Sequence, residues 1–417
     1  MNSYLTHLAL MAFALFSFVS ASSPIVAQYW AAYGGQAVSD VDWQANDIAY
    51  YFVTTTTSTG FELPEGQSVS EMQEFVKYTK SKGAKPVFSV GGWSGSLFFS
   101  KLVETDSKRQ TFAKDLHDFM VEYGFVGVDL DWEYPNGAGI GCNAISPDDS
   151  ANFVSFLKNL RELVGKDNLI TAAVSVGGIN GPDGNALSSF SEYGSLLDYI
   201  NLMTYDISGS FSQITGPNSP LRTCKSDTSV QDAVTLWTSR GFPAERILLG
   251  IPAYAVSFTT ASSTLATSEI GSYKSQIYQE WTKQTPMGAS GDSNAAYTDQ
   301  CGVTGSGYSG QWQYNELISE GILSEDGSKG MKGYERIYDQ CSETPFLFNS
   351  GTKEMIVYDD ARSAGMKAAY ARSEGLGGVM IFDTRGFTGT DVIPAIRQNL
   401  SELQPLAFEI LTVSPFG

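Results

Sequence analysis

Three carboxylates alternate in Gly124-Phe-Val126-Gly-Val128-Asp129-Leu130-Asp131-Trp132-Glu133-Tyr134-Pro135. On an extended strand, residues two apart share a face, so Asp129, Asp131 and Glu133 point the same way at intervals of about 7 Å. Val128, Leu130 and Trp132 then form the opposite face, suited to packing against helices. Three ionised carboxylates cannot share a dry face without strong repulsion, so at least one should hold its proton near neutral pH. A carboxyl that keeps a proton at neutrality is what general acid catalysis needs. The alternative is a solvated acidic face on a half-exposed strand. Phe125, Val126, Val128 and Leu130 argue against it, because they make the segment one meant for burial.

Other chemistries have little material. The chain holds two histidines, His7 and His117. His7 lies in an apolar leader, and His117 reads as a solvated helix residue. A Ser/His/Asp triad or a multi-histidine zinc site is therefore excluded. The four cysteines, Cys142, Cys224, Cys301 and Cys341, form no CxxC pair and fit disulfides in an oxidising compartment, with three possible connectivities. With 26 basic and 45 acidic residues the net charge is −19, which disfavours nucleic acid and anionic membrane surfaces as partners. Residues 8–21 are apolar, too short to span a bilayer, and end in small residues that suit cleavage after Ala21. Residues 1–21 are thus expected to be a signal peptide and the mature protein secreted. Asn399-Leu400-Ser401 is a glycosylation sequon.

The elements that must hold the carboxylates follow from periodicity. Strands are expected at Ile25–Trp30, Ile48–Val53, Pro86–Val90, Val126–Asp131, Leu169–Val174, Tyr199–Thr204, Ile247–Ile251 and Gly378–Phe382. Amphipathic stretches lie between them. One opens at Ser146-Pro147, a capping serine with proline in the first helical position, and places Phe153, Phe156, Leu157, Leu160 and Val164 at helix spacing. Eight strands alternating with helices predict a (β/α)8 barrel over a doubly wound sheet. On a barrel, Glu133 falls at the C-terminal strand end, where such enzymes keep their chemistry. The stretch between the seventh and eighth strands is too long for a loop, and residues 257–350 are expected to form a small α+β insertion. The barrel then comprises residues 22–256 and 351–401, and residues 402–417 a tail.

Asp129-x-Asp131-x-Glu133-Tyr134-Pro135 resembles the signature of glycoside hydrolase family 18, the secreted chitinases. The resemblance extends over almost the whole mature chain. Ser89-Val90-Gly91-Gly92-Trp93 is similar to the family's third-strand segment, Met203-Thr204-Tyr205-Asp206 to its sixth, and Gly250-Ile-Pro252-Ala-Tyr254 to its seventh. Tyr358-Asp359-Asp360 and Gly377-Gly378-Val379-Met380 are similar to its closing segments. The insertion also matches the branch with a deep cleft.

The resemblance implies a hydrolase of β-1,4-linked N-acetylglucosamine chains, endo-acting, without cofactor or metal, for which a monomer suffices. It implies Glu133 as the general acid, Asp131 as the residue orienting the substrate's 2-acetamido group, Asp129 as a proton-sharing partner of Asp131, and Tyr205 as a donor to the acetamido carbonyl. Gly91, Gly92, Trp93, Tyr134, Met203, Asp206, Tyr254 and Phe382 are the implied sugar contacts, with Tyr29 and Phe52 at the first two strand ends. The rival reading is a catalytically silent chitin-binding lectin on the same barrel, and Glu133 weighs against it. An endo-acting enzyme on N-linked glycans is a third reading, which the insertion disfavours.

Two positions depart from the family pattern. Val126 stands where an innermost aspartate is usual, so Asp129 must be partnered differently or stay more ionised. Phe382 stands where tryptophan is common. The cysteines are expected to pair as Cys301–Cys341 within the insertion and Cys142–Cys224 between the loops after strands four and six.

Overall fold

The computed structural model describes residues 24–401, so the leader and the tail expected at residues 1–21 and 402–417 lie outside the described residues. Eight parallel strands close into a barrel: β1 (Ile25–Ala31), β2 (Ile48–Thr56), β3 (Lys85–Gly91), β4 (Gly127–Asp131), β5 (Leu169–Ser175), β6 (Tyr199–Met203), β7 (Ile247–Pro252) and β8 (Gly378–Phe382). Each pairs with its sequence neighbour across the intervening crossover, except that the inserted segment separates β7 from β8; β1 pairs with both β2 and β8. All eight expected strands are present, with ends that differ by at most three residues.

The strand pattern sorts side chains to two sides of the wall. Outward residues such as Trp30, Tyr51, Phe88, Val128, Leu130 and Trp132 pack under the surrounding helices. Inward residues Ala27, Tyr29, Ile48, Tyr50, Val87, Leu248 and Met380 fill the lumen. Burying both faces is what requires continuous apolar runs in a parallel barrel. The helix after β4 begins at Asp149 rather than at Pro147. The buried Asp149 carboxylate explains the shift, since it accepts from the backbone N–H groups of Ser146 and Asn136, both at 3.0 Å, and holds the preceding turn open.

Immediately after β7 the chain leaves the barrel. A five-stranded antiparallel sheet runs in the order 311–313, 254–259, 354–357, 344–349, 335–339. Its core gathers Tyr254, Val256, Phe258, Tyr278, Trp281, Phe346 and Phe348. The sheet thus takes in Tyr254 before, and Val357 after, the 257–350 stretch.

The disulfides are Cys142–Cys301 and Cys224–Cys341, with Cα atoms 5.6 and 6.1 Å apart, and not the pairs expected from the sequence. The paths of the loops give the reason. The turn carrying Cys341 lies against the loop after β6, where Leu221 N–H donates to the Ser342 carbonyl at 2.8 Å and Arg222 meets Glu343 at 2.8 Å. The short hairpin that carries Cys301 (Tyr297–Thr298 with Thr304–Gly305) is tied to the loop after β4. Each barrel loop reaches the inserted segment and not the other loop.

Candidate active site

Asp129 and Asp131 lie on the inside of β4, and Glu133 follows two residues beyond its C-terminal end. Asp129 is fully buried and lies in register with Ser89 on β3 and Thr171 on β5. It accepts from Tyr29 Oη at 2.8 Å, Ser89 Oγ at 2.7 Å, Thr171 Oγ1 at 2.6 Å and Asn201 Nδ2 at 3.1 Å. Burial pushes its carboxyl up, and these donors pull it back down. Among the described residues no hydrogen bond joins Asp129 to Asp131, so the expected proton sharing has no direct contact here. Four neutral donors from four strands hold Asp129, which answers how it is kept beside Val126.

Asp131 is 4% exposed, and its Oδ1 is buried without a hydrogen-bond partner. Burial first, then the charges of Glu133 and Asp129, push its carboxyl well above the ordinary range. Glu133 is half-buried and is pushed up to about 7, mainly by burial and then by the charge of Asp206, while a hydrogen bond with Tyr134 lowers it. Between them the coupled pair keeps a proton at neutral pH.

The backbone that carries Glu133 is pinned by residues that have no spacing signature. Ser96 Oγ accepts from Glu133 N–H at 3.0 Å and lies 2.8 and 2.9 Å from the carbonyls of Gly92 and Asp131. Asn143 Nδ2 donates to the Glu133 carbonyl at 2.7 Å. Gly91 has φ +114°, and a Cβ there would sit 2.1 Å from the Asp131 carbonyl oxygen. Only glycine lets β3 end this close to β4.

These residues open onto a cleft of about 570 Å3, a size suited to a small ligand. Twelve sequence-named residues line it: Tyr29, Phe52, Gly91, Gly92, Trp93, Asp131, Glu133, Met203, Tyr205, Asp206, Tyr254 and Phe382. Asp129 lies beneath, and Tyr134 stands behind Glu133 against Trp132 and Ile179. Phe382 is ringed by Phe52 at 5.2 Å, Tyr29 at 5.6 Å, Tyr205 at 6.0 Å and Tyr254 at 6.5 Å between ring centres. Tyr254 Oη donates to Asp206 at 2.6 Å; Asp206 is open to the cleft, yet the surrounding walls push its carboxyl up. Trp93 and Tyr33 are 52% and 57% exposed, and such bare aromatic faces suit sugar rings.

Tyr33, Glu65, Gln67 and Gln300 also line the cleft and were not singled out from the sequence. Glu65, Gln67 and Gln300 sit in loops and Tyr33 in a three-residue 3-10 turn, where no periodicity marks them. His117 lies outside the cleft, beside Asp118.

The model of the glycosyl hydrolases family 18 matches residues 4–386. A chitinase-like effector of Moniliophthora roreri is 34% identical over 387 residues, covering 91% of this chain and 93% of that protein. Chitotriosidase-1 of Mus musculus is 32% identical over 350 residues, covering 78% and 64%. The crystal structure of a chitinase from Rhizomucor miehei superposes with a TM-score of 0.78 at 28% identity, covering 90% of this chain and 99% of that one.

Proposed function

This chain belongs to glycosyl hydrolase family 18, and from that premise we propose that it is a secreted chitinase that cuts β-1,4-linked N-acetylglucosamine chains with retention, Glu133 serving as acid and then base. One observation carries the reading. A carboxyl pushed up to about 7 stands at a barrel strand end, in a cleft, beside the unpartnered buried oxygen of Asp131.

In the first step Glu133 gives its proton to the glycosidic oxygen as the C1–O bond breaks. The substrate's acetamido carbonyl oxygen forms the new bond to C1, giving an oxazolinium ion. Its N–H fits Asp131 Oδ1, and the Asp131 carboxylate stabilises the positive charge. Tyr205, half-buried at the cleft wall, donates to the acetamido oxygen. In the second step water adds to C1 as the oxazolinium C1–O bond breaks and the acetamido group is restored; the water's proton goes to Glu133, so the β-anomer is kept. Burial pushes the Asp129 carboxyl up, and its four donors offset part of that without the missing carboxylate at Val126.

A second reading, a chitin-binding protein with little turnover, draws on Phe382 in place of tryptophan and on the name of the Moniliophthora roreri relative. Release of fluorophore from a chitotriose-type substrate separates the two. A hydrolase turns it over, and Glu133→Gln abolishes turnover with binding kept. Binding without release by the wild type at any pH from acidic to neutral would establish the second reading instead.

A further inference from the structure

The charge of the cleft is one-sided. Its lining includes Glu65, Asp131, Glu133 and Asp206 and no Lys, Arg or His. Arg385, which stacks on the lining residue Tyr33 at 5.4 Å, is already held by Asp383 at 2.7 Å. Asp131 and Glu133 are used by the reaction, and Asp206 is held by Tyr254. Glu65 is different. It is exposed, follows β2, lines the same cleft as Trp93, and makes no hydrogen bond or ion pair among the described residues. Asp131 Oδ1, buried without a donor, marks the same cleft as built to receive hydrogen-bond donors.

A neutral sugar gains little from such a field, whereas an ammonium gains at every position except the reacting one. The reacting unit must keep its acetyl group, because that group supplies the nucleophile. We propose that the preferred ligand is a partially deacetylated chain, with an acetylated unit over Asp131 and Glu133 and the ammonium of a glucosamine unit held by Glu65. This rests on the reading of the cleft as a chito-oligosaccharide site.

The test is calorimetric binding of fully acetylated chitopentaose and of its singly deacetylated isomers to the Glu133→Gln protein, which cannot consume them. One isomer should bind about two- to five-fold tighter than the acetylated chain at low ionic strength, and the advantage should shrink with added salt. Adding Glu65→Gln should bring the ratio back to one. Equal affinities, or an advantage that survives Glu65→Gln, would overturn the proposal. If the wild type still cleaves the acetylated chain in that case, the chitinase reading stands alone. If nothing binds and nothing is cut, both fail.

Discussion

Two of this molecule's groups of buried carboxylates are resolved in opposite ways. At the barrel's upper end, Asp131 faces Glu133 and Asp129, two further carboxylates. Where the chain re-enters the barrel after the inserted sheet, Asp359 is equally buried but contacts the ammonium of Lys367, itself fully buried, while Asp360 is paired with Arg336. Asp131 and Asp359 each keep one buried oxygen without a hydrogen-bond donor, so that orphan oxygen does not distinguish them, although the other oxygen of Asp359 accepts from Lys367. The neighbouring charge does. Where a cation is supplied, the carboxylate is structural; where only like charge is supplied, a proton must be held, and a held proton can be given away.

The comparison can be broken most decisively at Glu133. Glu133→Gln should lower kcat on a fluorogenic chitotriose by about 10²- to 10⁴-fold with binding kept, measured by steady-state kinetics and calorimetry. At the other pole, Lys367→Met leaves Asp359 buried beside no cation. It should lower stability by about 3–5 kcal/mol in urea titration, and pairing it with Asp359→Leu should restore most of the loss. An undisturbed single variant would show that the pair is not what holds that region.

The third prediction sharpens the sign. The Glu133 carboxyl is raised from 4.5 to about 7 in the folded protein, so between those values the native state binds a proton that the unfolded chain does not. Stability therefore falls as pH rises through that window. Glu133→Gln removes this slope. Above pH 7 the variant should be more stable than wild type by on the order of 1–3 kcal/mol, and below the unfolded value the two should coincide, as thermal melts across pH would register. The smallest effect is expected at Phe382, whose ring sits among four others. Phe382→Ala should weaken oligosaccharide binding by about two- to ten-fold.

Much of this is legible in the amino-acid sequence. Alternation alone put Asp129, Asp131 and Glu133 on one face, and apolar runs marked all eight barrel strands because a parallel barrel buries both sides of its wall. What the sequence hid has a common physical origin. Ser96 and Asn143 fix the Glu133 backbone, and Tyr33, Glu65 and Gln300 reach the cleft, yet each is a single residue in a loop or short turn whose position depends on where that connection lands. The start of the helix at Asp149 depended on a side chain folding back onto the preceding turn. The cysteine pairing failed for the same reason: the expected pairs kept the insertion and the barrel loops apart, but each barrel loop lands on the inserted segment.

That pairing bears on how the chain matures. Cys142 and Cys224 leave the ribosome first, 159 and 117 residues ahead of their respective partners. Until Cys301 emerges, the one bond an oxidant can make within the chain is Cys142–Cys224, which the finished protein does not contain. Every nascent chain must either keep both thiols reduced until the inserted segment arrives or break an early bond by thiol exchange. The inserted segment therefore cannot be treated as a removable cassette, since excising residues 257–350 would strand two thiols on the barrel and hand them to each other or to a neighbouring molecule.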